Sequence, residues 1–365
     1  MSIASAITAA QGKVADCYTA ISGKGGTLPA TQNLSNMPTA INSIPSGGGG
    51  GLGLREISQQ GVIQVPSGSV SLPSNVTNIG DYGMYGCFYY STTITSLDLS
   101  SLTTISGLYA MQYFCYNCTS LTSVDLSNLT TIDSVKGGMV NSFYGNTSIT
   151  SVDLSSLTTV NGEQAMQYAF VSCAGLTSLD LSSLTTVTGR YAMGYAFRDC
   201  TNLASVDLSN LTSVSGDWAM NFTFHRCTAL PSISLNNLQT IGNSAPSSTD
   251  CGQFASFVRD CSSITSMTFP KLEKIYCTGA STSNNGTFGN NNKLEKMYFP
   301  KLDTITYGSG ASSTNQNACL YVFGGCAALT ELHFGAVNET AIKSSPGWST
   351  AWGRGAGNVT IYFDL

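Results

Sequence analysis

Five aspartates recur at one place in the chain. Asp98, Asp125, Asp153, Asp180 and Asp207 each sit in a segment of the form (I/L)-x-S-(V/L)-D-L-S. Stacked as parallel strands in register, their carboxylates would stand about 5 Å apart. Each neighbouring pair would then repel by roughly 0.8 kcal/mol in water before salt screening. One chemistry this suits is contact with a cation or a positively charged ligand along the sheet face. The other reading is that Ser96, Ser123, Ser151 and their equivalents hydrogen-bond the carboxylates while the charge keeps a flat sheet soluble. In later copies the column becomes Ser234, Thr268, Tyr298 and His333, so either property belongs to the first half of the chain.

A second set of reactive side chains is the twelve cysteines. Cys118, Cys173, Cys200, Cys227, Cys261 and Cys326 each lie three residues before the first Leu or Ile of the next copy, and Asn146 and Asn291 fill the same slot elsewhere. A slot that takes Cys or Asn reads as a small buried ladder position. Buried free thiols and inter-turn disulfides are both compatible with it. Zinc-type partners are absent; the Cys115/Cys118 spacing follows from the repeat frame, and no metal or cofactor is expected.

The third set varies where the rest is constant. After each corner glycine stand Leu108-Tyr109, Glu163-Gln164, Arg190-Tyr191 and Asp217-Trp218; after each Phe stand Tyr116, Tyr144, Arg198-Asp199, His225-Arg226 and Arg259-Asp260. Aromatic and arginine side chains are what binding hot spots are made of. Tyr109, Arg190, Tyr191, Asp217, Trp218, His225 and Arg226 are therefore the candidate ligand-binding residues. Surface drift is the competing reading, as is packing along the stack for Tyr109, Tyr191 and Trp218. Enzymatic readings find little. The two histidines, His225 and His333, are over a hundred residues apart, and G-x-S-x-G, Walker and H-E-x-x-H motifs are missing. A carboxylate pair for glycoside hydrolysis would need a cleft that a regular stack does not offer.

What must position these groups is a repeat. ITSLDLSSLTTI from Ile94, LTSVDLSNLTTI from Leu121, ITSVDLSSLTTV from Ile149, LTSLDLSSLTTV from Leu176 and LASVDLSNLTSV from Leu203 follow one another at spacings of 27, 28, 27 and 27 residues. A fixed period of this size predicts a solenoid whose units share a continuous core. By the period-2 rule Val124 and Leu126 point inward and Ser123, Asp125 and Ser127 outward, while Leu129 and Ile132 turn the corner. Met111, Met166, Met193 and Met220, with Phe114, Phe170, Phe197 and Phe224, supply the opposite wall on a helical turn or an extended return segment. Further copies start at Leu230, Ile264, Leu294 and Leu329, with Gly/Ser/Asn-rich additions between them read as surface loops. The expected architecture is an α/β repeat solenoid of about ten turns, roughly 45–50 Å long, with a parallel sheet on one face. It spans residues 53–336. Before it come a helical attachment or oligomerisation module at 1–46 and a Gly-rich linker at 47–52; a cap with a final strand follows at 337–365.

Composition narrows the partners. Charged residues are 10% of 365, against roughly 25% in an ordinary globular chain. The net charge of -5 gives nucleic acid no basic face to hold. No apolar run is long enough for a membrane span, and Met1–Ala10 makes a poor secretory signal, so export by another route is expected.

The pattern F-x-x-C-x-x-L at Phe170/Cys173/Leu176, Phe197/Cys200/Leu203 and Phe224/Cys227/Leu230, with the D-L strand after it, resembles the BspA-type leucine-rich repeats. The likeness covers residues 68–336 and implies a surface adhesin or host-interaction scaffold. Lys24-Gly-Gly-Thr-Leu-Pro and Asn33–Ile44, before the glycine linker, look like the attachment module of tail-associated proteins from phages and prophages of gut bacteria; Gly357–Leu365 looks like their closing strand. Together these imply a non-enzymatic receptor-binding protein of a virion. Residues 1–46 would attach to the tail or baseplate, the stack would bind a host-surface glycan or protein, and the family expectation would be a homotrimer. A bacterial BspA-like cell-surface adhesin and a glycan-active enzyme on a solenoid are the alternatives.

Overall fold

The computed structural model describes residues 68–241, 254, 256–277, 288–307, 325–344 and 359–365. The N-terminal module, the linker and the Gly/Ser/Asn-rich additions lie outside the described residues.

The D-L-S segments form strands because Val or Leu at their centre is buried and its neighbours are not. Leu97, Val124, Val152, Leu179 and Val206 all lie in the core. Strands Gly68–Ser71, Ile94–Asp98, Ser123–Asp125 and Ser151–Asp153 make one parallel sheet. Ser178–Asp180 and Ser205–Asp207 make a parallel pair, and Ser266–Thr268, Lys296–Phe299, Glu331–Phe334 and Thr360–Phe363 a further parallel sheet.

The sequence suggested a sheet on one face of an α/β unit. The structure is instead a β-solenoid of about nine turns with parallel sheets on two faces. At the corner, the Leu102 N–H donates to the Leu99 carbonyl at 2.9 Å, and the same bond recurs from Leu129 to Leu126. The Thr-Thr-(Ile/Val) segment then re-enters as a second short strand. Nine of these, from Asn78–Ile79 to Thr304–Tyr307, run side by side. The first threonine of each pair ties the turns together. Thr103 Oγ1 donates to the Thr77 carbonyl at 3.1 Å, Thr130 to Thr103 at 3.0 Å, Thr158 to Thr130 at 2.9 Å and Thr185 to Thr158 at 3.0 Å. A β-branched residue with a hydroxyl serves both the strand and the ladder.

The third face replaces the expected helical or extended return with a series of tight turns. Three residues per coil, four apart, take left-handed backbone: Tyr109, Tyr113 and Asn117 at φ 49, 56 and 54°, and Tyr191, Tyr195 and Asp199 at 55, 58 and 59°. Bulky residues rarely do so, at a cost of about 1–2 kcal/mol each. Hydrogen bonding offsets it. From Tyr109 to Asn117 every odd-numbered N–H donates to a carbonyl of the next coil, from Lys136 to Tyr144, and every even-numbered N–H donates three residues back. No backbone donor in that stretch is left unsatisfied. In the coils where glycine takes a left-handed slot, Gly86, Gly137 and Gly145, the same geometry is reached without strain. Among the described residues the one α-helix is Glu339–Ser344, after the last repeat.

Inside, rings stack from coil to coil. Phe143, Phe170, Phe197 and Phe224 follow one another at 5.0, 5.3 and 5.7 Å with planes within 9°. The methionines Met111, Met166, Met193 and Met220 are fully buried beside them. The cysteine slot also proves to be a donor position. Cys118, Cys173, Cys200, Cys227 and Cys261 point Sγ at the carbonyl of a phenylalanine one coil earlier, at 2.8, 3.2, 3.2, 3.2 and 3.0 Å. Asn146 Nδ2 donates to the Cys115 carbonyl at 2.8 Å, so at this position Asn stands in for Cys because both carry a hydrogen to the coil before, whereas Asn291 donates to Phe288 of its own coil and accepts from the Cys261 N–H. The eight cysteines whose side chains are described are free and buried; none of them forms the disulfide left open by the spacing. Burial pushes the Cys200 thiol up to about 12, which leaves it protonated and unreactive. Cys200→Asn is therefore expected to be tolerated within about 1 kcal/mol, whereas Cys200→Val should cost about 0.5–1.5 kcal/mol more, because the Phe170 carbonyl loses the thiol donor while keeping the Cys173 N–H. Urea unfolding of the two variants checks this.

Candidate functional site

On the first face the aspartates stand in register as anticipated, Asp98 beside Asp125 beside Asp153, and Asp180 beside Asp207. The serines that hold them are not the ones expected. Ser96 donates to Ser69 Oγ. Each carboxylate instead accepts from the residue two places on, because the chain turns immediately after the strand. The N–H of Ser100, Ser127, Ser155, Ser182 and Ser209 donates at 3.1, 2.9, 3.1, 2.9 and 2.8 Å, and the hydroxyls of Ser100 and Ser155 add a second bond at 2.6 and 2.7 Å. The Ser100 bonds hold the Asp98 carboxyl below the usual carboxylate range. These aspartates act as turn locks. Among the described residues no group of three or more His, Cys, Asp or Glu could hold a metal ion.

The left-handed face is where the molecule differs from coil to coil. Tyr191, Trp218 and Arg226 are at positive φ and at least partly exposed, and with the residues next to them they bring the variable positions of the sequence together on one surface, although Ser256 at positive φ is buried. Tyr191 stacks on Trp218 with centroids 6.3 Å apart and planes 12° apart, and the Arg190 guanidinium lies 4.9 Å over Tyr191. Asp217 belongs to the same strip through its carbonyl, which accepts from the Tyr191 N–H. Beside that pair, Tyr168, Tyr195 and Phe222 form a second column at 4.8 and 4.7 Å. A third column is ionic. Asp199 bridges Arg198 at 3.1 Å and Arg226 at 3.4 Å, and His225 Nε2 meets Asp260 at 2.9 Å. Thus Arg190, Tyr191, Asp217, Trp218, His225 and Arg226 share one face. Tyr109 stands apart, three coils earlier, against Tyr82 at 5.7 Å. Motif reasoning passed over Tyr168, Tyr195 and Phe222 as candidates; their fourfold spacing from Gln164, Tyr191 and Trp218 was the available signal.

The two histidines have opposite environments. Burial lowers the His225 pKa and outweighs Asp260, while Arg198 opposes the charge further. At His333 burial also pulls downward, but Glu331 and Asp364 together outweigh it and the pKa is raised. His333 sits between Tyr298 and Tyr362 at 4.9 and 4.7 Å, with Nε2 3.0 Å from Glu331 and Nδ1 2.9 Å from Asp364. It therefore ties the final strand Thr360–Phe363 to the last repeat. A histidine whose folded pKa is raised contributes stability that is whole below its unfolded pKa, near 6.5, and is lost as pH rises through the folded value. Amide protection in Thr360–Phe363 is expected to fall as pH rises above about 6.5, and His333→Gln to flatten that dependence, as read by hydrogen exchange.

Parallel coils with an aliphatic and aromatic core, carrying their variation on one face, define a leucine-rich-repeat solenoid, a scaffold typical of non-enzymatic binding proteins. The chain belongs to the BspA-type leucine-rich repeat family. The model of the BspA type Leucine rich repeat region matches in six copies over residues 64–161, 111–223 and 193–315, well over half of the chain. Repeats of this type mark a surface or recognition protein. No curated protein matches. Among solved structures the crystal structure of a TLR13–ssRNA13 complex is similar at 12% identity over 81% of this chain and 53% of that one, with a TM-score of 0.17. This chain spans about half of that one's length, and a likeness at that score carries no argument about function.

Proposed function

We propose that this is a receptor-binding protein associated with a phage or prophage tail, which recognises a host-surface glycan or protein through its left-handed face. The observation that carries the reading is the division of labour among the faces. Two of them present repeated Ser, Thr and Asp whose hydrogen bonds are used within the stack. The third presents stacked rings and paired charges that change from coil to coil. Rings already held by their neighbours lose little side-chain entropy on binding, which favours recognition. Residues 1–46 attach the chain to the tail or baseplate, and their likeness to tail-associated modules supports the phage reading over a bacterial surface adhesin built on the same repeats.

The test is the double variant Tyr191→Ala/Trp218→Ala. Binding to host cells should fall by about tenfold or more, while stability changes by no more than about 1–2 kcal/mol. A larger stability loss with unchanged binding per folded molecule would make these rings packing elements alone.

A further inference from the structure

The left-handed face is not uniform along the stack. Its C-terminal part carries Arg198, Asp199, His225, Arg226, Arg259 and Asp260. Its N-terminal part is poorer in charge: residues 82–91, 109–118, 137–146 and 164–173 contain no Asp, Glu, Lys, Arg or His, and the charges at their leading edge are Asp81, which accepts from the Leu108 N–H, and the Lys136–Glu163 pair at 3.3 Å. What they carry instead is tyrosine. Tyr144 stacks on Tyr116 at 4.8 Å with planes 8° apart, and Tyr116 stacks on Tyr89 at 5.3 Å. Tyr90 lies across the end of this column, 4.6 Å from Tyr89 at 75°. Tyr89 and Tyr90 are 47% and 56% exposed, and Tyr82, joined to them through Tyr85 and Tyr113 at ring separations of 6.0 Å, is 45% exposed. Half-buried carboxamides, Gln112, Asn117, Asn141 and Gln164, are interspersed with the rings.

Exposed aromatic rings in a contiguous patch mark a contact surface. The scarcity of charge selects among partners. An acidic polymer would find one cation beside these rings, Lys136, already paired with Glu163, and nucleic acid, whose bases would stack well on such rings, needs phosphate neutralisation that this platform does not supply. A protein partner is expected to meet arginine or other charge at the rim of an aromatic patch, as the C-terminal half of this face offers. Apolar ring surface interleaved with uncharged hydroxyls and amides matches a ligand that has C–H faces and many neutral hydroxyls. Burial, together with the neighbouring phenols, raises the pKa of Tyr116, so the ring at the centre of the platform stays uncharged in mildly alkaline solution as well.

We propose that the tyrosine platform of the first coils binds a neutral glycan, one whose accessible sugars are uncharged pyranoses. This rests on the reading that the left-handed face recognises a cell surface, and it names the chemistry recognised there.

The experiment uses the full chain on immobilised neutral hexasaccharides of glucose, galactose, mannose and N-acetylglucosamine, with oligogalacturonate as the acidic control, alongside binding to host cells. Retention on at least one neutral sugar and none on the acidic control is expected. Tyr89→Ala/Tyr90→Ala should weaken that retention by about tenfold. Tyr89→Phe/Tyr90→Phe, which keeps the rings and removes two hydroxyls, should lower it only a few-fold, and it preserves the test should the alanine pair fail to fold. Cell binding that survives saturating neutral sugar and both double variants, with no retention on the neutral hexasaccharides, overturns the glycan assignment and leaves host recognition standing as recognition of a protein. Absence of cell binding in the unaltered chain overturns the host-recognition reading, and the sugar surfaces then decide the glycan assignment alone.

Discussion

Gly189→Ala is expected to destabilise the stack by about 3–5 kcal/mol, among the largest effects of any single methyl group in this chain. Gly189 has φ +100°, and an added Cβ would lie 2.4 Å from the Gly162 carbonyl oxygen and 2.7 Å from its carbon. The obstacle is backbone rather than a side chain that could swing away. Gly162, Gly189 and Gly216 lie one upon another, so that a Cβ on Gly216 would in turn meet the Gly189 oxygen at 2.6 Å. Relief requires the coils to part. That would strain the adjoining bonds between coils, from the Thr188 N–H to Val160 and from the Tyr191 N–H to Asp217, both 2.9 Å. Gly80→Ala is the control, because nothing lies within 4 Å of its added Cβ. In urea the control should keep its midpoint and Gly189→Ala should not. A shift worth less than about 1 kcal/mol would mean that the corner gives way cheaply, and that the glycine column does not set the spacing.

Phe197→Ala should cost about 3–5 kcal/mol through lost transfer energy and the cavity left behind. Phe197 is fully buried, and its ring is packed between Phe170 and Phe224. Because each coil contacts only its neighbours, the damage should also be divisive. The repeats on either side of the gap are expected to unfold in separate steps where the unaltered chain unfolds in one. Hydrogen exchange would then report two groups of amides, split near residue 197. A single cooperative transition at reduced stability would show instead that the two strand ladders couple the halves without the ring column.

Much of this was legible in the sequence. The Leu121–Ile132 segment and its copies fixed the period. They also determined the inward side of the strand at Val124 and Leu126, the corner at Leu129, and the burial of the Met, Phe and Cys columns. Those follow from hydrophobic alternation, which depends only on residue type and spacing. The second sheet was not legible. Thr131-Ile132 is too short to read as a strand alone and becomes one only because Thr104-Ile105 and Thr159-Val160 flank it. The donor role of the cysteine slot was equally hidden, although the exchange of Cys for Asn at residue 146 hinted at a shared hydrogen-bond requirement. The serine partners of the aspartates were not legible either, because they lie in the turn beyond the strand, two residues on, and not beside the aspartate within it.

The left-handed face is the clearest division between the two. No propensity places Tyr, Trp, Phe or Arg at positive φ, since each pays a local steric cost there. The conformation exists because hydrogen bonds to the adjoining coil, formed only in the assembled stack, outweigh that cost. The sequence by itself determined that the chain is a repeat solenoid and which positions vary within it. The tertiary structure alone decided that those positions turn outward on a single face, with Tyr191 on Trp218 and Tyr89 on Tyr116. Stacking is a contact between residues 27 apart, and local sequence carries no energy for it.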